Sequence, residues 1–121
     1  MTTTAAKTII PGDEKARYAA EVASEAKAEH ILMLDLRDLS NVTDYFLILT
    51  GTSMVHLKAL GLRIEEKMEQ LGQKPVHIDG QRGTGWMVFD YGNLIIHAMT
   101  QESRSMFDLE RLWGDAPVTE F

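Results

Sequence analysis

The clearest pattern along the chain runs from Gly85 to Met99, Gly-Trp-Met-Val-Phe-Asp-Tyr-Gly-Asn-Leu-Ile-Ile-His-Ala-Met. Two β-rich runs flank the pair Gly92-Asn93. Gly accepts a positive φ at the first central position of a two-residue turn and Asn tolerates the next, so the stretch predicts a hairpin. The turn sets the register: Tyr91 faces Leu94, Asp90 faces Ile95, Phe89 faces Ile96, Val88 faces His97, Met87 faces Ala98 and Trp86 faces Met99. Side chains alternate along a strand, so the hairpin has two unlike faces. Met87, Phe89, Tyr91, Leu94, Ile96 and Ala98 make an almost wholly apolar one. Trp86, Val88, Asp90, Ile95, His97 and Met99 make the other, which mixes an indole with an acid and an imidazole.

The remaining apolar periodicities supply the other elements. Asp13 can cap a helix running to about Glu29, with Glu14 in its first turn and Ala16, Ala19, Ala20, Ala23 and Ala26 as a small-residue stripe. Ile31 to Leu36 reads as a buried strand, Arg37 to Asp44 as a loop, and Tyr45 to Thr50 as a second strand apolar on both sides. Leu57, Leu60, Ile64, Met68 and Leu71 recur at helical spacing, with Thr52 or Ser53 as N-cap and Gly72 as the stop. Val76 to Asp79 is a third strand. The unit of strand, helix and strand predicts a right-handed crossover. Gly80 to Gly85 connects to the hairpin, and Ser103 to Trp113 forms a last helix with Met106, Leu109 and Leu112 or Trp113 inward. The order is α-β-β-α-β-β-β-α, a mixed α/β sheet with flanking helices. Residues 1–12 read as a mobile tail, 13–116 as one domain and 117–121 as a C-terminal tail.

Composition narrows the function classes. A chain of 121 residues can bury a self-sufficient core. Cysteine is absent, which removes disulfides and thiolate metal sites. No apolar run approaches the ~20 residues that span a bilayer, and the N-terminus lacks the apolar segment of a signal peptide. The reading is a soluble cytoplasmic protein without a membrane partner. The net charge of −6 and scattered basic residues disfavour direct nucleic-acid binding. The same charge suits a basic protein partner.

Candidate chemistry is sparse. Thr50-Gly51-Thr52-Ser53 lies between a strand and a helix N-terminus, where backbone N–H groups can hold an anion. It lacks the length and Lys of a P-loop and a nearby carboxylate pair for Mg²⁺, so a capped helix start is the simpler account. A nucleotide-binding or nucleotidyltransferase-like enzyme using this turn is the alternative function. The glycines of Gly80 to Gly85 lead into a strand, not a helix, which rules out a dinucleotide fingerprint. His30, His56, His77 and His97 show no short-spaced metal pair. Asp90 and His97 share a face but have no adjacent nucleophile. Asp35 and Asp38 flank a strand end and read as solvated. No cofactor or metal is expected. Trp86 is divided between core packing and an interface anchor.

Three segments then point to a family. Thr43-Asp44-Tyr45-Phe46 with Thr50-Gly51-Thr52-Ser53, Trp86 with Asp90-Tyr91-Gly92 and His97, and Leu109-Glu110-Arg111-Leu112-Trp113-Gly114-Asp115-Ala116 together resemble the ribosomal silencing factor family, also called Iojap-like. The resemblance covers roughly Tyr18 to Ala116. It implies a fold related to nucleotidyltransferases without their activity. It further implies a translation repressor that binds the fourteenth protein of the large ribosomal subunit and blocks joining of the small one. The resemblance implies docking through Trp86 and the residues around Asp90-Tyr91, and the mixed hairpin face adds Val88, His97 and Met99 as expected docking residues. A third reading is a self-associating module, a homodimer in which Trp86 meets its own copy across a twofold axis.

Overall fold

The computed structural model describes residues 9–80 and 83–121. Its elements are α1 (Gly12–Glu25), β1 (Glu29–Asp35), β2 (Tyr45–Gly51), α2 (Met54–Gln70), β3 (His77–Asp79), β4 (Trp86–Asp90), β5 (Leu94–Thr100), α3 (Gln101–Phe107), α4 (Leu109–Leu112) and β6 (Val118–Glu120). One mixed sheet has the order β3-β4-β5-β2-β1-β6. The pair β2 and β5 is parallel and every other neighbouring pair is antiparallel.

The hairpin forms with the expected register, from Trp86 opposite Met99 to Asp90 opposite Ile95. Only Gly92 takes a positive φ, +83°, so the turn uses left-handed freedom at its first central position alone. Tyr91 N–H donates to the Leu94 carbonyl at 2.8 Å. Contacts from far along the chain lock this turn. Asn93 Nδ2 donates to the Ile10 carbonyl at 3.1 Å, Thr43 Oγ1 to the Gly92 carbonyl at 2.9 Å, and Lys15 Nζ to the Tyr91 carbonyl at 3.2 Å. Burial of Lys15 lowers the pKa of its ammonium.

The apolar hairpin face packs under α1 and α2. Ala16, Ala19, Ala20 and Ala23 let α1 lie close, while Leu57, Leu60, Ile64 and Met68 of α2 supply volume against Leu47, Leu49, Phe89 and Ile96. Fully burying each of these larger side chains is worth roughly 1.5–3 kcal/mol. Ser53 caps α2, its Oγ accepting from His56 N–H at 3.0 Å. The helix ends where Gly72 turns to φ +75°. A second cluster, Leu34, Leu36, Ile48, Met99, Leu109 and Ala116, fills the opposite sheet face under α3, α4 and the chain after them.

Several expectations are corrected. α1 starts at Gly12 behind Pro11 and ends at Glu25, and Asp13 lies in its first turn instead of capping it. β3 does not adjoin β2, because β4 and β5 lie between them. β5 is buried along nearly its whole length and needs an interior position, whereas β3 is short, with His77 and Asp79 exposed, and suits an edge. The last helix is two, broken at Asp108, whose φ of +45° an aspartate tolerates better than most side chains. Leu109 is seated inward, but Met106 and Leu112 are 75% and 72% exposed. The C-terminal segment is no loose tail: β6 pairs antiparallel with β1.

Candidate functional site

Sheet order decides what surrounds Trp86. The indole stands on β4, one strand from the edge, on the face opposite α1 and α2. α3 and α4 cover this face over β1, β2 and β5 and leave it bare toward β3. On the bare part Val88 and Asp90 are half-buried, and His77 and Asp79, their partners across the ladder, are exposed. Trp86 is itself half-buried: one side joins the second apolar cluster, and the other borders open surface.

Five rings run in succession across this face. Phe107 lies 4.5 Å from Trp86 between ring centroids, Trp86 5.8 Å from His97, His97 4.3 Å from Phe46, and Phe46 6.0 Å from Trp113. The two contacts of Phe46 are edge-to-face, a favoured aromatic geometry. Beside the indole a groove of about 340 Å³ is lined by Asp79, Gly80, Thr84, Trp86, Val88 and Phe107. Gly80 makes the groove possible. Its φ is +81°, and a Cβ there would stand 1.9 Å from the Trp86 carbonyl oxygen, so any side chain would push the loop off β4. Thr84 Oγ1 donates to that carbonyl at 3.0 Å and accepts from Trp86 N–H at 3.3 Å.

Trp86 Nε1–H donates to His97 Nδ1 at 3.0 Å. The indole nitrogen can only donate, so Nδ1 carries the lone pair and the neutral imidazole has its proton on Nε2. His97 is 6% exposed. Burial of the ring pushes its pKa down to about 4, so it is neutral near pH 7. Nε2 has no hydrogen-bond partner among the described residues.

The six residues expected at the docking face therefore separate. Trp86, Val88 and Asp90 reach the open surface. Asp90 Oδ1 also accepts from Gly92 N–H at 2.8 Å and so braces the turn. His97 lies directly beneath. Met99 is fully buried, and Tyr91 points to the other side of the sheet at 5% exposure, so neither can touch a partner here. Burial, with a smaller push from Glu65, raises the pKa of the Tyr91 phenol. Helical spacing places Trp113 or Leu112 inward, but the sequence assigns none of Phe46, Phe107 and Trp113 to this face. The alternation of β2 puts Phe46 on the side of Ile48 and would have revealed it. Phe107 reaches the indole from the end of α3, and Trp113 follows α4 beyond the break at Asp108.

The Thr50 to Ser53 turn lines a cavity of about 630 Å³, and several of its polar groups are bonded within the chain. Thr52 N–H donates to His56 Nδ1 at 2.9 Å, His56 N–H to Ser53 Oγ, and Thr50 Oγ1 accepts from Arg104 at 2.8 Å. His56 Nε2 then carries the proton and donates to the Ala26 carbonyl at 2.8 Å, a structural role. Two N–H donors at this helix start, those of Thr52 and His56, are thus engaged within the chain. Asp35 forms an ion pair with Arg37 at 2.7 Å. Among the described residues no cluster of three or more His, Asp or Glu could hold a metal, and no helix is long and apolar enough to cross a membrane.

Known proteins share this sequence pattern and fold. The ribosomal silencing factor RsfS of Bacillus subtilis is 34% identical over 86% of this chain and 88% of its own length. A crystal structure of a protein from Chromobacterium violaceum superposes with a TM-score of 0.83 at 28% identity, covering 87% of this chain and 88% of that one. A Bacillus halodurans crystal structure gives 0.78 at 25% identity, covering 90% and 99%. Residues 10–121 match the family described as "Ribosomal silencing factor during starvation", and the chain belongs to that family.

Proposed function

We propose that this chain binds the large ribosomal subunit through its fourteenth protein and prevents the small subunit from joining by occupying the surface between them. Family membership supports the coarser role, ribosome-associated silencing of translation. The observation that carries the docking surface is the half-buried Trp86, held at the margin of a bare sheet face beside Val88, Asp90 and the groove under Phe107. Such an indole is the usual anchor of a protein interface. Asp79 and Asp90 border the apolar part, and the −6 net charge of the chain complements a basic ribosomal protein. The action needs no reaction step: a bound domain excludes the other subunit by its volume.

Trp86→Ala is expected to weaken binding to purified large subunits by roughly 2–4 kcal/mol, as for a central aromatic anchor, with the thermal transition of the domain retained. Co-sedimentation at the affinity of the original chain would contradict the proposal. A subunit-joining assay gives the functional readout. Titration with nucleoside triphosphate and Mg²⁺ in a calorimeter tests the competing use of the Thr50 to Ser53 turn, and no saturable heat is expected. Sedimentation velocity of both forms tests whether the same face pairs two copies.

A further inference from the structure

We propose that His97 is the positioning residue of this docking surface: as its Nε2–H tautomer it accepts the Trp86 indole N–H and holds the indole in the orientation a partner meets. The inference rests on the docking reading above.

The argument begins with the chemistry of the indole. Its N–H is an obligatory donor on an otherwise apolar body. On a surface destined to be covered, that donor must be satisfied by the partner or from within, since leaving it unpaired costs the desolvation of a polar group. Here it is satisfied from within, by a 3.0 Å hydrogen bond to Nδ1 of a buried ring. The partner then faces apolar indole edge and need not supply an acceptor.

The acceptor is itself held firmly. Phe46 stands edge-on to the imidazole at 4.3 Å, and Phe107 lies tilted against the indole with ring centroids 4.5 Å apart. The indole is thus clamped between one ring from α3 and one from β5. Immobilising a large side chain before association removes an ordering cost from binding. A ring that served only to fill the core would be better replaced by an apolar one.

Three measurements test this. In the unaltered protein, long-range ¹H–¹⁵N spectra of the imidazole should show Nδ1 unprotonated and Nε2 protonated; the opposite tautomer overturns the proposal without any substitution. In His97→Phe the Trp86 indole N–H resonance, assigned with the help of Trp113→Phe, should move upfield and exchange faster with water. His97→Asn, whose Oδ1 can stand near the position of Nδ1, should restore it. Affinity for purified large subunits should fall about tenfold in His97→Phe, the equivalent of one neutral hydrogen bond, and recover in His97→Asn. An unmoved indole resonance, or full affinity in a folded His97→Phe, overturns the proposal. The docking reading fails separately, if Trp86→Ala binds undiminished, while the resonance measurements still report on the hydrogen bond.

Discussion

His97 shows how one buried titratable group links pH to the state of the fold. In the unfolded chain it takes up a proton near its ordinary value of 6.5, and in the folded chain not until about 4, because burial makes the imidazolium costly. Between these values the unfolded state binds more protons than the folded one. Stability contributed by the neutral ring is therefore complete above pH 6.5, falls as pH drops, and is spent by about pH 4. Linkage puts the whole change at about 3 kcal/mol. Urea titrations at successive pH values should show the original chain losing more stability across that window than His97→Phe. Equal pH profiles would mean that the ring is hydrated in solution.

Among the elements, the broken C-terminal helix is tied to the sheet by Arg104. This guanidinium is 6% exposed and bonds Glu110 Oε2 at 3.1 Å, Thr50 Oγ1 at 2.8 Å and the His30 carbonyl. It thereby joins α3 to α4, to β2 and to the irregular start of β1, where the register shifts and His30 takes φ +48°. Arg104→Met should cost roughly 3 kcal/mol in urea unfolding, since it strands the partners of a buried charge. Adding Glu110→Leu should recover part of the loss, and a double-mutant cycle measures the coupling. Because α3 also carries Phe107, the single variant should loosen Trp86, which its fluorescence would report.

For the whole molecule, charge governs encounter. A net −6 chain meeting an isolated basic ribosomal protein is attracted at long range, so association should slow several-fold as salt rises from about 50 to 300 mM. Against intact large subunits, rRNA phosphates repel the same chain, and the slowing should shrink or reverse. Stopped-flow measurements on both partners would show the difference. Identical salt dependence would mean that short-range contacts alone set the rate.

Much of this protein was legible locally. The hairpin register followed from Gly92 and side-chain parity, α2 from its three-and-four spacing and Ser53 cap, and the two sides of β4 from alternation. Parity could place Trp86 with His97 on one face, and a resemblance could nominate them. Parity also put Tyr91 on the apolar face, but neither could say that Met99 would be sealed away while Val88, on the same face as Met99, stayed half open. Tertiary structure decided that β5 sits beside β2, that β6 closes on β1, and that the end of α3 lays Phe107 against the indole. The physical reason is the range of the interactions. Backbone geometry assigns a side chain to a face using its nearest neighbours in sequence. Whether that face is then covered depends on elements that arrive from tens of residues away.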